Sequence, residues 1–449
     1  MNNPAELTPE LVAEIRADID ADPQVRLSTN AVTAGGIGAA SLDRQKAVTP
    51  TSMSTKLDKW KVANQKKSGR CWLFAALNIM RAGVMEKLGT DDFELSQNYA
   101  LFWDKLERAN YFLEDQLQLA GDGEDLDSRL SQFLLADVLG DGGQWDMLVG
   151  VFQKHGVVPQ EVMPETVASS NTEPMNAQLR LLLRRTALEM RELETQEERR
   201  ALKNRVLKDI YRILVINLGI PPTSFDWQWR DKDGMFHRDG EMTPTEFMDK
   251  YVDLDLEDYV CLVDDPRTAH PKNAPLTVSH LGNVVGGPEV KYLNVDVETM
   301  KALAAKSLNE GHPVWFGCDV GQHSDRKAGL LVKDIYDYPG VLGVDLSTTK
   351  EQRVLTGESM MTHAMVLTGV DEVKGEPRRW RVENSWGDEI GDKGYFTMDD
   401  DWFTDFVFEV VVKKSDLSSE QQAALDEEPL VLPAWDPMGA LARPVRAGA

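Results

Sequence analysis

The 449-residue chain holds only three cysteines, Cys71, Cys261 and Cys318, and they lie far apart. Three scattered thiols supply neither a disulfide framework nor a four-thiolate zinc site, so a reducing compartment is expected. Positive charge is also scarce. Lys and Arg number 49 against 74 Asp and Glu, a net charge of -25 that repels phosphate backbones and anionic lipid over long range. Nucleic acid and membrane surfaces are therefore poor partners. No apolar run approaches the roughly 18 residues of a membrane span, and residues 1–27 lack a basic stretch followed by an apolar one. These absences predict a cytoplasmic protein. His155, His237, His270, His280, His312 and His323 show no paired spacing of the His-Glu-x-x-His kind, so neither a metal nor a cofactor is implied. Residues 122–127 are acidic but lack the spaced ligands and closing glutamate of a calcium loop, and read as solvated.

What is present is ample core material, 42% hydrophobic, in a chain longer than one ordinary domain. Thr8 before Pro9 starts an amphipathic helix reaching about Ala21, and the Gly- and Ala-rich residues 31–40 read as a loop. A polar turn, 64–70, runs into an apolar stretch that predicts a buried central helix from Cys71 to about Gly89. Two Leu- and Arg-rich helices are expected in 174–219, the second capped by Thr195 and Glu198. That block carries ten basic and six acidic residues. Farther on come a helix near 297–308 and β-like runs at 313–316, 364–370, 380–382 and 406–412. Helices first and strands later predict an α+β fold of two lobes. Pro429, Pro433, Pro437 and Pro444 exclude a helix or a central strand from 428–449.

A thiol becomes a strong nucleophile where its thiolate is stabilised, and a helix N-terminus carries about half a positive charge. Cys71 is placed to use it, whereas Cys261 and Cys318 lie in apolar runs and read as packing. A base and a group that fixes its tautomer are also needed. His363 opens one β-like run and Asn384 closes another, so two neighbouring strands can present both at one edge, with Trp386 covering their hydrogen bond. Gln65, six residues before Cys71, can fold back so that its amide and the Cys71 N–H converge on an oxyanion.

The segments Asn64-Gln-x-x-x-Gly-x-Cys-Trp72, His363-Ala-x-x-x-x-Gly369 and Glu383-Asn-Ser-Trp-Gly387 resemble, in that order, the three active-site motifs of papain-like cysteine peptidases. The resemblance implies a papain-like two-lobed fold with Gln65 as oxyanion donor, Cys71 as nucleophile, His363 as general base and acid, and Asn384 as its orienter. Gly142-Gly143 resembles the family's glycine wall, where substrate backbone pairs with bare protein backbone.

His363 follows Cys71 by 292 residues rather than by roughly 130–150. That spacing, the turn before Cys71 and the tail 432–442 resemble the bleomycin hydrolase and bacterial aminopeptidase C family. The resemblance implies a homo-hexamer whose active sites face a chamber. It also implies a C-terminal arm in the cleft, whose terminal carboxylate near Ala442 holds the free amine of peptide substrates. Helical insertions and terminal arms follow from the same likeness. The implied division is an N-terminal arm 1–60, a helical lobe 61–173, a helical insertion 174–222, a β-rich lobe 223–415 and a C-terminal arm 416–449. Seven residues, 443–449, run past the end of the resembling tails and span about 23 Å when extended. Either the enzyme trims them, or the tail exits elsewhere and endopeptidase activity results. Intact mass beside Cys71→Ala distinguishes the two.

Each residue also has a plainer reading. Cys71 alone is a buried small hydrophobe, His363 a satisfied histidine at a strand start, Asn384 and the Gly142-Gly143 pair turn residues. None of these explains the ordered set. Arg180, Arg184, Arg185 and Arg191 recur near helical spacing, which a nucleic-acid-binding module would require, but a solvated or oligomer-contact face fits the -25 charge better. A transglutaminase-type acyl transferase shares a Cys-His pair but not the Gln65 spacing or the Glu383-Asn-Ser-Trp-Gly387 run. A scaffold without catalysis would need none of these groups.

Overall fold

The computed structural model describes residues 6–57 and 60–442. The central helix, Cys71–Leu88, starts directly on the cysteine and stops at Gly89, whose left-handed φ of 63° lets its N–H turn back to the last-turn carbonyls. Trp72, Leu73, Ala76 and Val84 are fully buried on different faces, as its unbroken apolar sequence requires. It lies in one core with the helix Trp145–His155 and with Trp315, Ala364 and Val366 of the sheet. The hairpin Phe225–Arg230 with Phe236–Met242 and the helix Pro244–Tyr251 join that core through Trp227, Phe247 and Tyr251.

A second core is mostly helical. Glu173–Glu192 and Gln196–Leu218 pack on Gln97–Gly121 through Leu179, Leu183, Leu202 and Ile210. Thr195 and Glu198 form the reciprocal capping box. The arginines here are engaged: Arg184 donates to the Leu135 and Ala136 carbonyls, Arg191 to Gln116 and the Ala187 carbonyl, and Arg180 pairs with Glu173.

The remaining core backs a twelve-stranded sheet among the described residues. At its centre Val407–Lys413, Val314–Cys318, His363–Val373, Glu376–Glu383 and Tyr395–Asp399 follow in that order, each antiparallel to the next. His363 pairs with Cys318 in register, so the strand start that carries the histidine is fixed against Val314–Cys318.

Two expectations are corrected. Residues 31–40 are not a loop: Pro23–Gly35 and Ile37–Ser41 are helices separated only by Gly36 at φ 81°. Alanine is the strongest helix former, and Asp22 caps the first helix through the Gln24 N–H. The proline-bearing tail does form structure. Leu430–Leu432 is an edge strand parallel to Ala274–Val278, and Pro437–Ala442 is a 3₁₀ helix. Pro429 and Pro433 flank the strand, and Pro437 takes the first helical position, where no N–H is missed.

Candidate active site

Cys71 is the first helical residue, so its own N–H and that of Trp72 have no intrahelical acceptor. The Ala364 N–H donates to Sγ at 3.4 Å, and Sγ lies 4.0 Å from the Gly69 carbonyl. Burial pushes the thiol up to about 11, against the lowering pull of the Ala364, Trp72 and Cys71 N–H groups. Asp141 adds to the upward push. His363, adjoining Ala364, is driven down to about 4, again by burial, while its hydrogen bond to Asn384 acts the other way. Cys261 and Cys318, fully buried in strands, are held well above the ordinary thiol value by burial.

Asn384 follows the strand Glu376–Glu383. Its Oδ1 accepts from His363 Nε2 at 2.9 Å and from the Ser385 N–H at 2.8 Å. Because Oδ1 can only accept, Nε2 carries the proton and Nδ1 keeps the lone pair that a base needs. Trp386 lies over the imidazole, ring centroids 4.9 Å apart. Gln65 is held at both ends of its amide: Oε1 accepts from Ser385 Oγ at 2.5 Å, and Nε2 donates to the Ser68 carbonyl at 2.5 Å. One Nε2 hydrogen remains for an oxyanion.

Four residues that build this arrangement carried no signal in the sequence beyond lying in or near the motifs. Ser385 joins Gln65 to Asn384. Glu383 accepts from Asn78 and Arg81 of the central helix at 2.8 Å each and from Trp60 at 2.8 Å, tying the helix of Cys71 to the strand of Asn384. Arg70, fully buried, forms a two-point pair with Glu165 at 2.8 Å and donates to Ser68 Oγ. Asp141 accepts from the Gly69 N–H at 3.1 Å, from Thr172 and Asn176, and pairs with buried Lys105 at 2.5 Å. Lys105 holds its carboxyl well below the usual range, and its backbone carbonyl takes the Trp72 indole N–H.

The Gly142-Gly143 pair divides in function. A side chain at Gly143 would lie 2.6 Å from the Trp72 ring, whereas one at Gly142 would strike the Leu441 carbonyl. The C-terminal segment thus rests on Gly142, with Ala442 buried beside it. It is anchored upstream. Arg267 clamps Asp436 through two bonds of 2.8 Å, Tyr292 and Gln144 both donate to the Met438 carbonyl, and Trp435 stacks under Arg129 at 3.9 Å. Residues 443–449, on which the trimming question turns, lie outside the described residues.

A nucleophile-bearing buried helix, packed against an antiparallel sheet that presents His363 and Asn384 at one edge, defines a papain-like cysteine peptidase. The model of the Peptidase C1-like family matches residues 6–439, and the chain belongs to that family. It is 47% identical to aminopeptidase C of Listeria innocua, over 91% of this chain and 92% of that protein. It is 42% identical to bleomycin hydrolase of Gallus gallus, over 97% and 99%. The crystal structure of PepW from Lactobacillus rhamnosis superposes with a TM-score of 0.94 at 47% identity, covering 97% of this chain and 99% of that one.

Proposed function

We propose that the protein removes N-terminal residues from peptides through a thioester on Cys71. The chain is a papain-like cysteine aminopeptidase, and the relatives named aminopeptidase C, matched over nearly their whole length, support that reading. The observation that carries it in this chain is that Leu441 and Ala442 lie on Gly142, whose neighbour Gly143 packs on the ring of Trp72, the residue after Cys71.

In this reading His363 Nδ1 takes the Sγ proton as sulfur attacks the carbonyl carbon, and the oxyanion receives the Cys71 N–H and the free Gln65 Nε2 hydrogen. Collapse breaks the C–N bond, His363 protonates the leaving amine, and a thioester remains. Water, losing its proton to His363, then releases the N-terminal residue and restores the thiol. Asn384 holds the imidazole in the required tautomer throughout. No step needs a cofactor.

A fluorogenic alanyl amide is expected to be cleaved at least about 100-fold faster than its N-acetyl counterpart, since the covered side leaves no room for chain before the N-terminal residue. Equal rates would sink the aminopeptidase reading and restore the endopeptidase one.

A homo-hexamer is part of the proposal. The helices Pro9–Asp20 and Pro23–Gly35 bury no residue, and the first exposes Leu11, Val12, Ile15 and Ile19 along one stripe, an area that asks for a partner. Light scattering is expected to give six times the 50.3 kDa of one chain; a monomer mass refutes it. A cytoplasmic location is supported by three free cysteines. Among the described residues no helix is long and apolar enough to cross a membrane.

A further inference from the structure

His363 must protonate the nitrogen that leaves, so the part of the peptide beyond the scissile bond departs on the histidine side of Cys71. That side is walled by Trp386, which lies over the imidazole. The segment resting on Gly142 lies instead by Gly143 and the Trp72 ring. Trp386 also carries a cation: the guanidinium of Arg326 sits 4.9 Å from the ring centroid. Arg326 is exposed, and no carboxylate pairs with it among the described residues, in a chain where acids outnumber bases by 74 to 49.

The arginine is also held in place. It lies between the short strands Ser324–Asp325 and Leu330–Leu331, in a turn closed by the Ala328 N–H to Asp325 Oδ1 at 3.0 Å and the Gly329 N–H to the Asp325 carbonyl at 2.9 Å. This turn docks on the loop that follows Trp386. The Gly391 N–H donates to the Lys327 carbonyl at 3.2 Å, and Gly329 and Gly391 approach so closely that neither tolerates a side chain. A cation fixed over the wall that the leaving segment passes meets the first residue of that segment.

We infer that Arg326 is a specificity-determining residue for the leaving side, selecting peptides that carry a carboxylate immediately after the scissile bond, either an Asp or Glu side chain or the chain terminus of a dipeptide. The inference rests on the aminopeptidase reading for the direction of the substrate. An exposed charge pair supports a preference of about five-fold, weakened by salt.

The test compares kcat/KM for Ala-Glu-amide, Ala-Lys-amide, Ala-Ala and Ala-Ala-amide, with alanyl 7-amido-4-methylcoumarin as a substrate lacking any charge there. Wild type is expected to favour Ala-Glu-amide over Ala-Lys-amide by about five-fold, and Ala-Ala over Ala-Ala-amide if the chain terminus is the group read. Arg326→Gln should abolish the preference while leaving the coumarin substrate within about two-fold, and Arg326→Glu should invert it. A Glu-to-Lys ratio unchanged in Arg326→Gln, or equal losses on charged and uncharged substrates, overturns the inference. Should wild type cleave only N-acetylated versions of these peptides, the aminopeptidase reading fails separately, and the Glu-to-Lys ratio within the acetylated series still decides the role of Arg326.

Discussion

Cys71→Ala is expected to lower kcat on a free-amine substrate by about 10⁴-fold or more, because the thioester route disappears and no neighbouring group described above can replace the thiol. His363→Ala should fall by a similar factor, since burial pushes the thiol up and attack by sulfur then needs a base to take its proton. The double variant should be no worse than either single one, because the two groups act as a unit. Stopped assays with purified protein, alongside circular dichroism to verify folding, check this. A folded variant of either kind with a near-wild-type rate removes that residue from the chemistry. Removing the thiol costs the fold little, since sulfur is a weak acceptor for the Ala364 N–H at 3.4 Å.

Glu383→Ala carries the largest expected effect on stability. The carboxylate takes hydrogen bonds from Asn78, Arg81 and the Trp60 indole while only 1% exposed. Deleting it strands the Arg81 guanidinium, itself 2% exposed, without its counter-charge. Removing one partner of a buried pair costs about 3–5 kcal/mol. Taking an unfolding entropy of about 2.1 cal/mol/K per residue, that is a fall in Tm of roughly 4 °C for a chain of this length. Glu383→Gln, which keeps the shape and one acceptor, should lose less. Calorimetry of the three proteins decides; an alanine variant melting within about 1 °C of wild type would show that the helix and the strand do not depend on this junction.

Much of the site was legible because its chemistry demands particular residue types at particular turns. A cysteine entering an apolar helix, a histidine opening one strand and an asparagine closing another are readable from local pattern, whereas the register of His363 with Cys318 is not, because two β-like runs do not say that they pair. The supports were not legible, because nothing local distinguishes them. Asp141 looks like any turn aspartate until Gly69, Thr172 and Lys105 are brought to it from three separate stretches. Arg326 sits in a polar turn, 37 residues before His363 in sequence, with no feature that links it to Trp386. The helix over residues 23–35 was misread because glycine was weighed above the alanines and the Asp22 cap around it. In the tail, proline's exclusions hold for helix interiors and central strands, whereas the edge strand Leu430–Leu432 and the 3₁₀ helix Pro437–Ala442 escape both.

The clamp of Arg267 on Asp436, only a few residues before the segment resting on Gly142, has a consequence for inhibition. A segment tethered so close to its resting place is present there at an effective concentration of millimolar or more, whatever the amount of enzyme or substrate in solution. Free peptides compete with it as an intramolecular ligand that dilution never removes. A long peptide therefore gains access on that side only as its concentration rises past that effective concentration.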